Sequence, residues 1–200
     1  MSLFKILFSK VKSLITKKND DENDLIKLNL GQLKLQNIKE KYGKLSSINE
    51  YEFKSFSQFG EDGLVQYLIN NIKIENKFFV EFGVENYNEA NTRFLLENNN
   101  WKGIILESNL EQVNYIKKRY YYWKYNLKVF NHFISKENIN DIFKKYNVPK
   151  NIGILSIDID GNDYWIWEAI NNVKPSIVIV EYNARFGAND SVSIPYKKDF

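Results

Sequence analysis

Lys77-Phe78-Phe79-Val80-Glu81-Phe82-Gly83 is a short, almost unbroken apolar run that ends on an acid and a glycine. Three further runs share its form. Gly103-Ile104-Ile105-Leu106-Glu107, Gly153-Ile154-Leu155-Ser156-Ile157-Asp158-Ile159-Asp160 and Ser176-Ile177-Val178-Ile179-Val180-Glu181 are each aliphatic and each reach a carboxylate at their end. Runs of this length without polar alternation suit strands buried on both faces, as parallel sheets require. Leu127 to Phe133 supplies a weaker fifth. Helical periodicity fills the intervals, at about 60 to 72, 89 to 99, 109 to 122, 136 to 146 and 162 to 171. Strand and helix therefore alternate, and the expected fold is α/β, a doubly wound, mostly parallel, Rossmann-like sheet. In open α/β sheets ligands sit outside the carboxyl ends of the strands. The expected site thus pools Glu81, Glu107, Asp158 and Glu181 on one edge.

The chain before this region has a different texture. Leu3, Phe4, Leu7, Phe8, Val11, Leu14 and Ile15 fall at helical spacing, and Lys5, Lys10, Lys12, Lys17 and Lys18 precede the first acid, Asp20. This predicts a basic amphipathic helix, suited to packing on its own domain, to a homo-oligomer contact, or to lying on an anionic membrane. Asn19 to Asp24 carries Asp20, Asp21, Glu22 and Asp24 and reads as a solvated linker. Residues 25 to 50 are polar and partly helical in pattern. The expected division is an N-terminal amphipathic helix and linker over 1–45 and an α/β domain over 46–200.

Composition narrows the function classes. A formal net charge of +3 is too small for an overall nucleic-acid footprint, so no nucleic-acid partner is expected. The absence of cysteine excludes a disulfide framework, thiolate chemistry and a zinc-cysteine site, and fits a cytoplasmic protein, peripheral to a membrane at most. No apolar run reaches the ~18 residues needed to span a bilayer, and lysines interrupt the N-terminal stretch where a signal peptide needs an unbroken core.

Three constellations could carry chemistry. Val80-Glu81-Phe82-Gly83-Val84 fits a turn in which glycine lets the backbone approach a ligand, and Glu107 ends the next strand at roughly the separation where nucleoside folds place the acid that binds ribose hydroxyls. Glu81 and Glu85 on one loop would repel a phosphate-bearing dinucleotide, whereas the sulfonium and amino groups of S-adenosylmethionine are positive, so sign favours the methyl donor. The plainer reading is that both glutamates cap strands at a solvated edge. Asp158-Ile159-Asp160-Gly161-Asn162-Asp163 has two functional readings. Asp158 with Glu181 and Asn183 from the next strand end would form an all-oxygen site for magnesium or manganese; alternatively Asp158 and Asp160 would hold the metal of a nucleotide sugar in a glycosyltransferase. A helix-capping role for Asp160 or Asn162 is the plain alternative. His132, the only histidine, is the most available base near neutral pH, although its neighbours Phe130 and Phe133 suit a structural role. Tyr164, Trp165, Trp167 and the Tyr120 to Trp123 cluster read as packing aromatics.

Five motifs in register carry a resemblance: Ser57-Gln58-Phe59-Gly60-Glu61-Asp62-Gly63, Glu81-Phe82-Gly83-Val84-Glu85, Asn91-Thr92-Arg93, Leu155-Ser156-Ile157-Asp158-Ile159-Asp160 and Val180-Glu181-Tyr182-Asn183-Ala184. Together they resemble a group related to FkbM-type S-adenosylmethionine-dependent methyltransferases over residues 55 to about 198. The resemblance implies a class I methyltransferase fold and O-methylation of a sugar, glycan or other small hydroxylated acceptor. It places Glu81, Gly83 and Glu107, with Ser108 and Gln58, on the donor side. Asp158, Asp160, Glu181 and Asn183 fall on the acceptor or metal side, and Asp158, Asp160 and His132 are the catalytic candidates. Residues 1–45 lie outside it. The class I sheet continues past its fifth strand, yet only residues 182–200 follow Glu181. The expectation is a truncated product, a sheet completed by another subunit, or a non-catalytic donor-binding scaffold.

Overall fold

The computed structural model describes residues 3–43, 46–187 and 189–198, with side chains from residue 19 onward. A helix α1 (Leu3–Lys39) is followed by α2 (Glu61–Asn71), and from there strand and helix alternate. The elements are β1 (Phe78–Phe82), α3 (Arg93–Asn99), β2 (Lys102–Glu107), α4 (Leu110–Lys117), α5 (Tyr120–Lys124), β3 (Leu127–Asn131), α6 (Ile139–Lys145), β4 (Asn151–Ile157), α7 (Asp163–Ala169) and β5 (Lys174–Val180). All strand pairs are parallel, in the order β3-β2-β1-β4-β5. The order reverses between β1 and β4, because the connections from β1 to β3 run on one face and those from β3 to β5 on the other. The α/β, Rossmann-like, parallel sheet read from the apolar runs is therefore present.

Alternation along each strand divides the core in two. Phe79, Ile105, Val129, Ile154 and Ile177 meet Val65, Leu96, Val113, Ile116 and Tyr121 on one face. Val80, Phe82, Ile104, Leu106, Leu155 and Ile157 meet Ile139, Ile142, Phe143 and Ile166 on the other. Each fully buried aliphatic or phenyl side chain contributes about 1.5–3 kcal/mol relative to exposure, which is why the strands carry so few polar residues. Glu81 and Ser156, paired in register across β1 and β4, are buried exceptions.

The segment read as a linker is helical. Asn19 to Asp24 lies inside α1, whose backbone is continuous from Leu3 to Lys39. The reason is electrostatic. Arg93 on α3 and Arg119 before α5 are buried, and the Asp24 carboxylate bonds both guanidinium groups, with Arg119 Nη2 at 2.7 Å. Arg119 also pairs with Asp20 at 3.2 Å and Asp21 at 3.1 Å, and Arg93 with Glu97 at 2.8 Å. Acids that would solvate a linker instead neutralise two buried cations. Below them Leu28 and Leu35 pack with Phe53, Phe56 and Phe94. Gly31 lets the helix approach, since a Cβ there would stand 2.7 Å from the Phe94 ring. The side chains of residues 3–18, on which the basic amphipathic reading rests, lie outside the described ones.

Candidate active site

The loops after β1, β2, β4 and β5 enclose a cleft of about 1120 Å³ at the carboxyl edge of the sheet, where the strand order reverses. Every candidate named from the sequence except Asn183 lines it. Its charge is one-sided. Glu61, Glu81, Glu85, Glu89, Glu107, Asp158, Asp160 and Glu181 line it, and among the described residues no lysine or arginine does. Leu106, Ile134 and Ile157 add apolar wall, and the half-exposed Phe133 and more open Phe59 and Tyr182 stand at the rim.

Glu81 turns inward, toward its own loop. Its carboxylate accepts from Asn91 N at 2.8 Å, Thr92 N at 3.2 Å, Thr92 Oγ1 at 2.5 Å and Ser156 Oγ at 3.2 Å. Burial pushes its pKa up to about 7, against the pull of these donors. Asn91 Nδ2 donates to Ser156 Oγ at 3.1 Å and closes the ring of bonds. Glu81 thus fastens the end of the β1–α3 loop to β4. Gly83 likewise serves the fold before any ligand: at φ +73° it lies so close to the Asp158 carbonyl that a Cβ would fall 1.4 Å from the oxygen. Glu85 and Tyr87 also have positive φ, at 48° and 63°, so the loop holds a strained shape.

Glu107 is the acid of this edge best placed to accept from a ligand. It ends β2, and accepts from Glu85 N at 3.0 Å, Asn109 N at 2.8 Å and, at 3.4 Å, Ser108 Oγ. A carboxylate has about four acceptor positions, so acceptor capacity remains for hydroxyl donors. Ser108 and Gln58 line the same cleft.

Across the switch point, the carboxylate oxygens of Asp158, Asp163 and Glu181 lie within 4.8 Å of one another. Loss of water around the carboxyl, followed by the charges of Glu181, Asp163, Asp160 and Glu85, pushes Asp158 up to about 6. Glu181 is raised by desolvation, Asp163 and Asp160. The acid that converges with Asp158 and Glu181 is Asp163. Asn183 does not line the cleft, because β5 ends at Val180 and the chain then turns; the Asn183 side chain accepts from Arg185 N at 3.1 Å. Asp163 was within the quoted motif, and as the first residue of α7 it holds the turn, accepting from Ile159 N at 3.0 Å and Gly161 N at 2.9 Å. Neither Asp160 nor Asn162 caps that helix through its side chain: Asp160 sits at φ 55°, and Asn162 donates to the Lys197 carbonyl at 2.8 Å, pinning the C-terminal tail.

His132 lines the cleft with Nε2 2.5 Å from the Tyr146 hydroxyl. Burial and Lys145 lower its pKa, which favours the neutral imidazole. No family model and no curated protein matches the chain.

Proposed function

We propose that the chain is an S-adenosylmethionine-dependent methyltransferase that methylates a hydroxyl of a small polar acceptor such as a sugar. The observation that carries this reading is the sign of the cleft: eight carboxylates and, among the described residues, no lysine or arginine, at the edge where α/β sheets take nucleosides. A cleft of that sign attracts the sulfonium and ammonium groups of the methyl donor and repels the diphosphate of a dinucleotide or nucleotide sugar. Glu107 is placed to accept from the ribose hydroxyls while it keeps Glu85 N and Asn109 N. The apolar wall of Leu106 and Ile134 suits an adenine ring.

The donor supplies an electrophilic methyl group when bound; the chain must place an acceptor hydroxyl and take its proton. Asp158, with a pKa of about 6, is poised as the general base near neutrality. Neutral His132 is the second candidate. Asp158, Asp163 and Glu181 also offer the hard oxygen set that magnesium or manganese prefers, and such an ion would relieve their repulsion and acidify a bound hydroxyl.

A thermal-shift comparison of S-adenosylhomocysteine with a nucleotide sugar, each with and without manganese, tests the reading. S-adenosylhomocysteine should raise the midpoint, by the equivalent of about 2.7 kcal/mol at a hundred times Kd. A shift only with nucleotide sugar and manganese would make the protein a glycosyltransferase, and no shift with any of them would leave a scaffold domain.

A further inference from the structure

The inner face of α1 is fully engaged. Asp24, Leu28, Gly31 and Leu35 are buried at heptad spacing against α3 and the segment before α2. On the outward side Leu25, Ile26, Leu30 and Leu33 are 43%, 56%, 53% and 63% exposed, an apolar stripe at helical spacing with no partner among the described residues. The helix continues toward the N-terminus through a segment whose sequence carries Lys5, Lys10, Lys12, Lys17 and Lys18 and no acid before Asp20.

We propose that α1 lies on an anionic lipid surface through this outward side. Charge decides between lipid and a second copy. Parallel pairing of two α1 helices would set the lysine segments side by side. Antiparallel pairing would set them against residues 20–39, where Asp20, Asp21 and Asp24 are already turned onto Arg119 and Arg93 and the fourth acid, Glu22, is outnumbered by Lys27, Lys34 and Lys39. Neither arrangement supplies a net counter-charge, whereas a leaflet of acidic headgroups does, and acyl chains accept the leucines. No helix among the described residues is long and apolar enough to cross a membrane, so the mode is surface adsorption.

The test is co-sedimentation of the full chain with vesicles of phosphatidylcholine alone and of phosphatidylcholine with phosphatidylserine. Binding is expected only to the anionic vesicles and should fall as salt shortens the screening length to a few ångströms, roughly 3 Å at 1 M. Two variants leave Asp24, Leu28, Gly31 and Leu35 unchanged. Lys5→Gln, Lys10→Gln, Lys12→Gln and Lys17→Gln together should lower the partition coefficient on the order of a hundredfold or more, and Leu30→Gln with Leu33→Gln should also weaken it. Absence of binding, equal binding to neutral vesicles, or binding indifferent to both variants overturns the proposal. A wild-type dimer that fails to bind vesicles and that Leu30→Gln with Leu33→Gln dissociates would assign the stripe to a second copy.

Discussion

Glu81 and Glu107 end adjacent parallel strands, yet they do different work. Glu81 is consumed by Asn91, Thr92 and Ser156, whereas Glu107 keeps acceptor capacity toward the cleft. Glu107→Ala should therefore weaken S-adenosylhomocysteine binding by about 1.5–3 kcal/mol, roughly ten- to a hundredfold, in a folded protein; calorimetry on the variant would read it, and undiminished affinity would remove Glu107 from the ribose. Asp158 makes a pH prediction. Its folded pKa, about 6, lies above the unfolded value of 3.8, so ionisation costs more in the folded state. Its neutral form favours folding fully below pH 3.8, and that contribution is lost as pH rises through 6. Asp158→Asn should stabilise the apo-protein at pH 8 by about 1 kcal/mol once solvent screening is allowed for, or about 2–4 °C in Tm, with the gain gone at pH 3.8. Melting curves across that range check it, and an unchanged Tm at pH 8 would mean that the neighbouring carboxylates do not strain the site. The acids themselves were visible in the sequence because each follows an aliphatic run. Which way a carboxylate faces depends on loop backbone 10 or more residues away, as with Asn91 and Glu81, and no local pattern encodes that.

Among the elements, β1, β2 and β4 were legible because burial on both faces forces a nearly continuous aliphatic composition, whereas the edge strand β3, with Lys128 exposed, gave only a weak signal. Helix α1 was only partly legible. Its acidic segment looks solvated when read locally, because the arginines that bury it stand at positions 93 and 119 and no periodicity links them to Asp24. The same arrangement makes Asp24 a stability determinant. Asp24→Ala leaves two buried guanidinium groups short of a partner and should cost about 3–5 kcal/mol, a far larger loss than an exposed acid would cause. Urea unfolding of Asp24→Ala beside Glu75→Ala, a change at an exposed acid, reads the contrast. Equal, small losses in the two variants would return this segment to the role of a linker. Asn183 lies off the cleft for a different reason: its assignment assumed that β5 runs past Glu181, and the strand stops at Val180.

Across the chain as a unit, a nearly balanced charge is distributed unevenly. The formal excess is +3, yet among the described residues the cleft's charged lining is all acidic, and the lysines of the N-terminal segment lie on a different element. The parallel sheet explains how. Its order reverses between β1 and β4, which parts the two sets of connections and opens a crevice at the carboxyl ends, and the acid that closes each apolar run is delivered to that crevice. The proposed sulfonium ligand would be the counterpart of such a site. The direct measurement is a pair of calorimetric titrations, S-adenosylmethionine and its uncharged-sulfur product S-adenosylhomocysteine, each at low and high salt. Both should bind, the sulfonium more tightly, and its advantage should shrink as salt screens the carboxylates. No heat from either ligand, or tighter binding of a nucleoside diphosphate than of S-adenosylmethionine, would contradict the account.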